Sequence, residues 1–219
     1  MKFLYYMVME IDKQVDEQVE RISIKLQQAI LYFGDKGHGP FGAEVHQFRV
    51  KPPLALSEIE AFEARFEVTL PLGYRMFLLR IGNGGAGPAY GLFSLDRALS
   101  YQRPELPLDI LKTSFPHIDS FDDSFWDEVD RQVEIGEISE SEADRMMDYE
   151  TAGTIVLCHE GCGHLHRLVI SGPSRGEMWM DSTCSDQGYF SLQVNFLDWY
   201  ERWLDQVLNG KSGTWWFSY

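Results

Sequence analysis

The sequence predicts an α+β protein, with helices before and after an antiparallel meander. Three observations carry this. Apolar residues from Ile11 to Phe33 recur at helical steps. The stretch Leu70–Gly85 couples a short apolar helix to a glycine-rich turn. Three apolar runs, Thr154–Cys158, Leu165–Ser171 and Glu177–Asp181, are separated by Gly161–Gly163 and Gly172–Gly176, the punctuation of strands joined by turns.

In the first helix Ile11, Val15, Val19, Ile22, Leu26, Ile30 and Phe33 step by four, four, three, four, four and three. This is an amphipathic helix of about six turns, ended by Gly34 and Gly37. Its narrow seam suits packing on the body of the domain or on a second copy, with the body favoured. Gly37–Pro53 reads as loop with a short strand at Glu44–Val50. Ser57 and Glu60 have capping-box spacing and open a second helix that runs to about Val68. Ile59, Phe62 and Phe66 are its apolar side, and Glu63 and Glu67 lie at its water-facing edge. Pro71 disfavours helix just before it and presets φ for a third helix. Tyr74, Phe77, Leu78 and Ile81 form that helix's stripe, and Gly82, Asn83, Gly84 and Gly85 stop it. Ala89–Leu95 reads as a strand and Asp96–Tyr101 as one helical turn. Arg103–Pro116, with three prolines, reads as irregular surface chain.

Asp119–Glu150 differs from everything before it. It holds thirteen acids against Arg131 and Arg145, a net −11 of the chain's formal −15. Phe121, Phe125, Trp126, Val129 and Val133 mark a helix inside it. Ser139 and Glu142 form a capping box that opens another helix through about Tyr149. The apolar anchors argue against a disordered acidic segment and for a folded, acidic helical hairpin inserted before the strands. A last helix runs from about Gln193 to Leu208. Phe196, Tyr200, Trp203, Leu204, Val207 and Leu208 are its buried side, and Gly210 ends it. The tail with Trp215, Trp216, Phe217 and Tyr219 is expected to fold back on the domain.

At 219 residues and 44% hydrophobic, the chain can bury one good core, so one domain with elaborations is expected. A net charge of −15 repels a nucleic-acid duplex and an anionic membrane surface, and attracts a basic protein. Three cysteines do not suggest a disulfide framework, so a reducing cytoplasm is the expected home. The start, MKFLYYMVME, makes a poor signal peptide, and no apolar run approaches the ~20 residues of a membrane helix.

The sharpest enzymatic candidate is the segment Cys158–His166. Cys158, Cys162, His164 and His166 are possible zinc ligands, and the last three alternate, so on a strand they would share one face. No second ligand cluster accompanies them, and Cys158 and Cys162 serve equally as small buried apolar residues. Gly82–Gly91 follows a helix and lacks Lys, so it is no phosphate loop. His38, His46 and His117 lie in loops with no partner visible from spacing. No catalytic residue, cofactor site or metal site is therefore assigned.

The helix with Glu58, Glu60 and Phe66, then Leu70-Pro71, Tyr74, Phe77-Leu78 and Asn83-Gly84-Gly85, resembles the opening signature of the SUKH superfamily, which includes the fungal cell-wall-synthesis-regulator-like proteins. Downstream the order also fits: Cys158, Gly161 and Gly163, Leu168-Val169-Ile170, Gly172, Gly176, Trp179 and Asp181, then Phe196, Trp199, Tyr200 and Trp203. Gly73 stands where members often carry a polar residue. The resemblance implies an α+β domain with a largely antiparallel sheet flanked by helices. Residues 1–55 are then an N-terminal helical extension, 56–208 the family core and 209–219 an aromatic tail.

Bacterial members of that superfamily are commonly immunity proteins that bind and neutralise a cognate toxin, often a nuclease, and the family has no catalytic motif. The expected partner is therefore a basic toxin, with no direct nucleic-acid or membrane binding. Asp122, Asp123, Asp127, Glu128, Asp130 and Glu134 are the candidate partner-binding residues, because an acidic face can mimic the polyanion that a nuclease cleft holds. Phe125 and Trp126 are possible anchors unless they belong to the core. The alternatives are a regulatory or scaffold domain that binds another basic protein, and a metal-dependent enzyme built on Cys158–His166.

Overall fold

The structure is a computed structural model that describes residues 2–34, 39–101, 109–122 and 124–210, with side chains from residue 10 onward. Gly37, His38, Arg103, Asp123 and the aromatic tail lie outside the described residues. In chain order the helices are α1 (Lys2–Phe33), α2 (Ala43–His46), α3 (Leu56–Phe66), α4 (Leu72–Arg80), α5 (Leu95–Ser100), α6 (Ser124–Glu134), α7 (Glu140–Asp148) and α8 (Phe196–Leu208). The strands are β1 (Thr154–Gly161), β2 (His164–Val169), β3 (Glu177–Asp181) and β4 (Tyr189–Asn195). They form a four-stranded sheet in the order β1-β2-β3-β4, with every neighbour antiparallel. The fold is thus α+β, an antiparallel meander flanked by helices. None of the described helices is long and apolar enough to cross a membrane.

The seam of α1 packs on the body. Val19, Ile22, Leu26 and Ala29 are buried in the main core, while Ile11 and Ile30 are exposed. Charged groups close the seam's rim. Glu201 on α8 takes hydrogen bonds from Gln18, Arg21 and Lys25, and Arg80 on α4 reaches Asp16 and Glu20. The stripe of α4 buries Tyr74, Phe77 and Leu78 against α8, with Phe77 and Tyr200 ring centres 4.9 Å apart. Gly73 sits where these helices meet. A Cβ there would lie 2.9 Å from Leu197 Cγ, so close packing explains the glycine.

Several local readings are corrected. Glu44–Val50 is not a strand: Ala43–His46 is a helical turn, and Val50 makes one bridge, to Gly85. Gly85 itself has φ +110, and a Cβ on it would strike the Arg49 carbonyl at 2.3 Å, which fixes glycine there. Ala89–Leu95 contributes only Leu92, bridged to Gly85 and Cys158. Asn83 does more than end a helix, since its Oδ1 accepts the Leu95 N–H at 2.8 Å and so satisfies the first free N–H of α5. The N-cap of α3 is Ala55, two residues before the expected Ser57, and Glu58 Oε2 accepts its N–H at 2.7 Å. The helix also ends at Phe66, because Glu67 takes a left-handed conformation. Glu63 is half-buried rather than water-facing, because it accepts the Leu70 N–H and pairs with Arg75. Within 109–116, Ile110, Leu111 and Phe115 are buried, so this stretch is core lining and not surface chain.

The largest omission is β4. The expected helix start at Gln193 falls inside this strand. Asn195 ends it and caps α8 by accepting the Asp198 N–H at 2.9 Å. From Leu192 on, burial alternates strictly, which is a strand pattern too short to outweigh the strong helix behind it.

The register separates two faces. Ile155, Cys158, His166, Leu168, Met178, Met180, Leu192 and Val194 face the core shared by α1, α3, α4 and α8. Thr154, Arg167, Val169, Trp179, Asp181 and Tyr189 face the other way. There a smaller cluster of Phe115, Val169, Trp179 and Tyr189 forms, with Phe121 packed against it.

Candidate functional site

The acidic hairpin folds as expected and sits on this second face. Asp122 opens it: its Oδ1 accepts the Ser124 N–H at 3.0 Å and the Ser124 hydroxyl at 2.5 Å. Gly136, at φ 75, lies in the turn after α6. Helix α7 starts with a complete capping box, in which Ser139 Oγ accepts the Glu142 N–H and Glu142 accepts the Ser139 N–H. The outer surface is carboxylate. Asp122, Asp127, Glu128, Asp130 and Glu134 are all exposed. Glu128 is held down to about 2 by the Arg131 guanidinium, at 2.7 and 2.6 Å, and by Gln132. Hydrogen bonds from Ser124 lower Asp122, and those from Ser139 lower Glu142, so these groups stay ionised at neutral pH.

The underside is aromatic and polar. Phe121 exchanges two backbone hydrogen bonds with Tyr189, which extends the sheet beyond β4. The rings of His117, Phe121 and Phe125 follow one another at 4.2 and 4.8 Å. Val129 is buried. Trp126 is half-buried with its indole turned to Glu150. Burial raises the Glu150 carboxyl, against the pull of a hydrogen bond from Tyr189. Deeper in, Arg167 binds Asp181 through two nitrogens at 2.9 and 2.8 Å, with both side chains under a tenth exposed. Asp181 Oδ1 accepts the Thr183 hydroxyl at 2.8 Å. Burial presses His117 down to about 4.

Where α6 meets β4, a shallow groove of about 450 Å³ opens between Ser120, Phe121, Asp122, Ser124, Phe125 and Phe190. Phe125 lines it. Its floor is apolar and its rim carries the Asp122 carboxylate.

The cysteine–histidine segment does not assemble a ligand set. Cys158 is buried and its Sγ donates to the Pro88 carbonyl at 3.1 Å. Cys162 has left the strand for an exposed turn at φ 52, so it shares no strand face with the histidines. His164 bonds Ser182 at 3.0 Å, and His166 is buried between Glu160 and Trp199. Among the described residues no three His, Cys, Asp or Glu side chains converge as a metal needs. Nor is His46 a free loop residue. It is buried against Phe48 and Trp203, its Nδ1 accepts the Phe48 N–H, and burial lowers it to about 4. Spacing gives no sign of the Glu160–His166 and Arg167–Asp181 pairs, because strand register creates both.

No curated protein and no solved structure matches the chain. The family model of the SMI1 / KNR4 family (SUKH-1) matches residues 53–202, from just before α3 into α8, with the whole hairpin inside. That family includes toxin immunity proteins and the SMI1/KNR4 regulators, and is generally a binding domain rather than an enzyme. A match over that span, with its helix signature, antiparallel meander and aromatic last helix in place, shows that the chain belongs to the SMI1 / KNR4 family (SUKH-1).

Proposed function

We propose that this protein is an immunity protein that neutralises a basic toxin by stoichiometric binding, with the α6–α7 hairpin as its docking face. The observation that carries this reading is the concentration of charge. A net −11 lies between Asp119 and Glu150, −7 of it within the α6–α7 hairpin, whose described candidate carboxylates are all exposed. Such a field speeds the encounter with a basic cleft, and steered association reaches ~10⁸–10⁹ M⁻¹s⁻¹ at low salt. Affinity then needs desolvated anchors. The Phe121–Phe125–Phe190 groove supplies an apolar floor for the stem of an arginine or lysine whose head meets Asp122.

The test is to search the genes beside this one for a toxin and to measure association kinetics with that toxin once purified. Charge reversal at Asp122, Asp123, Asp127 and Asp130 is expected to slow association by at least about tenfold at low salt, and to flatten its salt dependence. An unchanged rate removes the hairpin's role. Binding to some other basic protein, with no protection of cells from the neighbouring toxin, favours a regulatory domain and rejects immunity.

A further inference from the structure

Two exposed thiols stand at one end of the sheet. β2 and β3 pair Leu168 with Met178, Arg167 with Trp179, His166 with Met180 and Leu165 with Asp181. Partners advance one residue at a time in opposite directions. Carrying that register past the last pair sets His164 opposite Ser182 and Cys162 opposite Cys184. The first of these contacts is made, with His164 Nδ1 and Ser182 Oγ at 3.0 Å. At the second the chains leave regular strand, but they stay together. A Cβ placed on Gly163 would lie 2.6 Å from Cys184 Cβ and 3.1 Å from its Sγ, so Cys184 rests against the β1–β2 turn. The two thiols are also near enough for the charge of one to bear on the other. Both are exposed, and both lie in short irregular segments, the β1–β2 turn and the 3-10 turn Thr183–Ser185. The third cysteine, Cys158, is buried and bonded to Pro88, so it cannot compete.

We propose that Cys162 and Cys184 form a reversible redox pair, closed to an intramolecular disulfide by a low-molecular-weight disulfide such as oxidised glutathione. One cysteine, as its thiolate, attacks a sulfur of the small disulfide, forms a mixed disulfide and releases one small thiol. The other thiolate attacks the protein-bound sulfur of that mixed disulfide and expels the second small thiol. The protein loses two hydrogens, and the small disulfide is reduced to two thiols. The bond ties the β1–β2 turn to the segment that leads into β4. Neither turn carries ladder hydrogen bonds at these positions, so small backbone adjustments can bring the Cα atoms into the range a disulfide requires.

The experiment incubates the folded full-length chain with glutathione at graded ratios of oxidised to reduced form. Free thiols are then alkylated and peptides mapped without reduction. A Cys162–Cys184 link is expected, reversible by dithiothreitol, with the far-UV spectrum unchanged. It should form roughly tenfold faster than uptake of a second glutathione, because the second step is intramolecular. Cys162→Ser and Cys184→Ser are each expected to stop at a single mixed disulfide, while Cys158→Ser links like the parent chain. The proposal fails if both thiols take up glutathione with no internal link. It also fails if the link forms only in denaturant or involves Cys158.

Discussion

On the face of the sheet that carries α8, apolar and aromatic side chains predominate, with one buried polar pair, Glu160 and His166, among them. Ile155, Leu168 and Met178 meet Phe196, Trp199, Tyr200 and Trp203, and α1 and α4 complete the enclosure. Among these α8 aromatics, the Tyr200 hydroxyl donates to the Ala86 carbonyl at 2.8 Å. On the opposite face, Arg167, Asp181, Glu150 and Tyr189 lie among aromatics beneath a hairpin whose own outer surface is charged. The first face draws its stability from area removed from water, which is non-directional and forgiving of small shifts. The second depends on paired charges in a low-dielectric layer, where each group is costly without its partner. A helix-covered face therefore sets the fold, and a polar face holds the hairpin in one position.

The sharpest way to break this contrast is to truncate each face in turn. Trp203 is 2% exposed and stacks over Phe48 at 6.0 Å. Trp203→Ala should cost about 3–5 kcal/mol and lower the urea midpoint of the whole chain. Asp181→Ala should cost about 3 kcal/mol, because it strands the Arg167 guanidinium in a buried site. Its signature should differ from that of Trp203→Ala. Replacing both partners, Arg167→Met with Asp181→Leu, should recover most of the loss, whereas no second change on the core face replaces an indole. If the double variant is no more stable than Asp181→Ala, the second face is not governed by charge pairing. Hydrogen exchange adds a local readout: Asp181→Ala should release α6 and α7 before α8.

Acid offers a probe that touches both faces. His46 sits against Trp203 on the core side, and His117 lies under the hairpin, and burial lowers both to about 4. A histidine with a lowered folded pKa binds fewer protons folded than unfolded. Stability is therefore complete above about 6.5 and is lost as pH falls toward 4. For His46 the loss by pH 5 is roughly 2 kcal/mol. His117 is more open to solvent, and its share is smaller after screening. Unfolding midpoints at pH 7 and pH 5 measure this. His46→Gln should flatten the difference more than His117→Gln does, and the reverse order would mean that the hairpin seals its histidine better than the core does.

The contrast also explains what the sequence reveals. Core-face elements announce themselves through periodic apolar residues: α1, α4 and α8 are legible from their own spacing, and α7 from Ser139 and Glu142. The exposure of the hairpin acids is legible too, since Asp127 and Asp130 sit on the polar side of the α6 spacing and are exposed. Features set by a partner distant in sequence are not. Glu63 turns inward because the Leu70 N–H in the linker and Arg75 on the next helix await it. Leu92 pairs only because Gly85 and Cys158 flank it, and the strand expected around it does not form. β4 is hidden because its alternating residues run straight into a strong helix pattern. Trp126 and Phe125 look alike in sequence and are both half-buried, but Trp126 bonds Glu150 whereas Phe125 lines the groove.

The smallest effect tests the junction between the two faces' chemistries. Glu150 closes the hairpin, half-buried beside Tyr189, Trp126, Arg167 and Asp181. Burial raises its carboxyl, and the Asp181 charge adds to this. Hydrogen bonds from Tyr189 and Trp126 and the Arg167 charge oppose it, and the net direction is upward. A carboxyl raised in the folded state holds its proton more tightly there than in the unfolded chain. Its contribution is therefore favourable at low pH and is lost as pH rises through the carboxylate range. Glu150→Gln keeps the shape and removes the titration. Relative to the parent chain, the variant should gain stability as pH is raised from about 4 to 7, opposite in sign to the histidine effect. If the parent chain gains instead, Arg167 and the two hydrogen bonds outweigh burial. Glu150 would then be an ionised member of the Arg167–Asp181 pair, and the second face would rest on three charges rather than two.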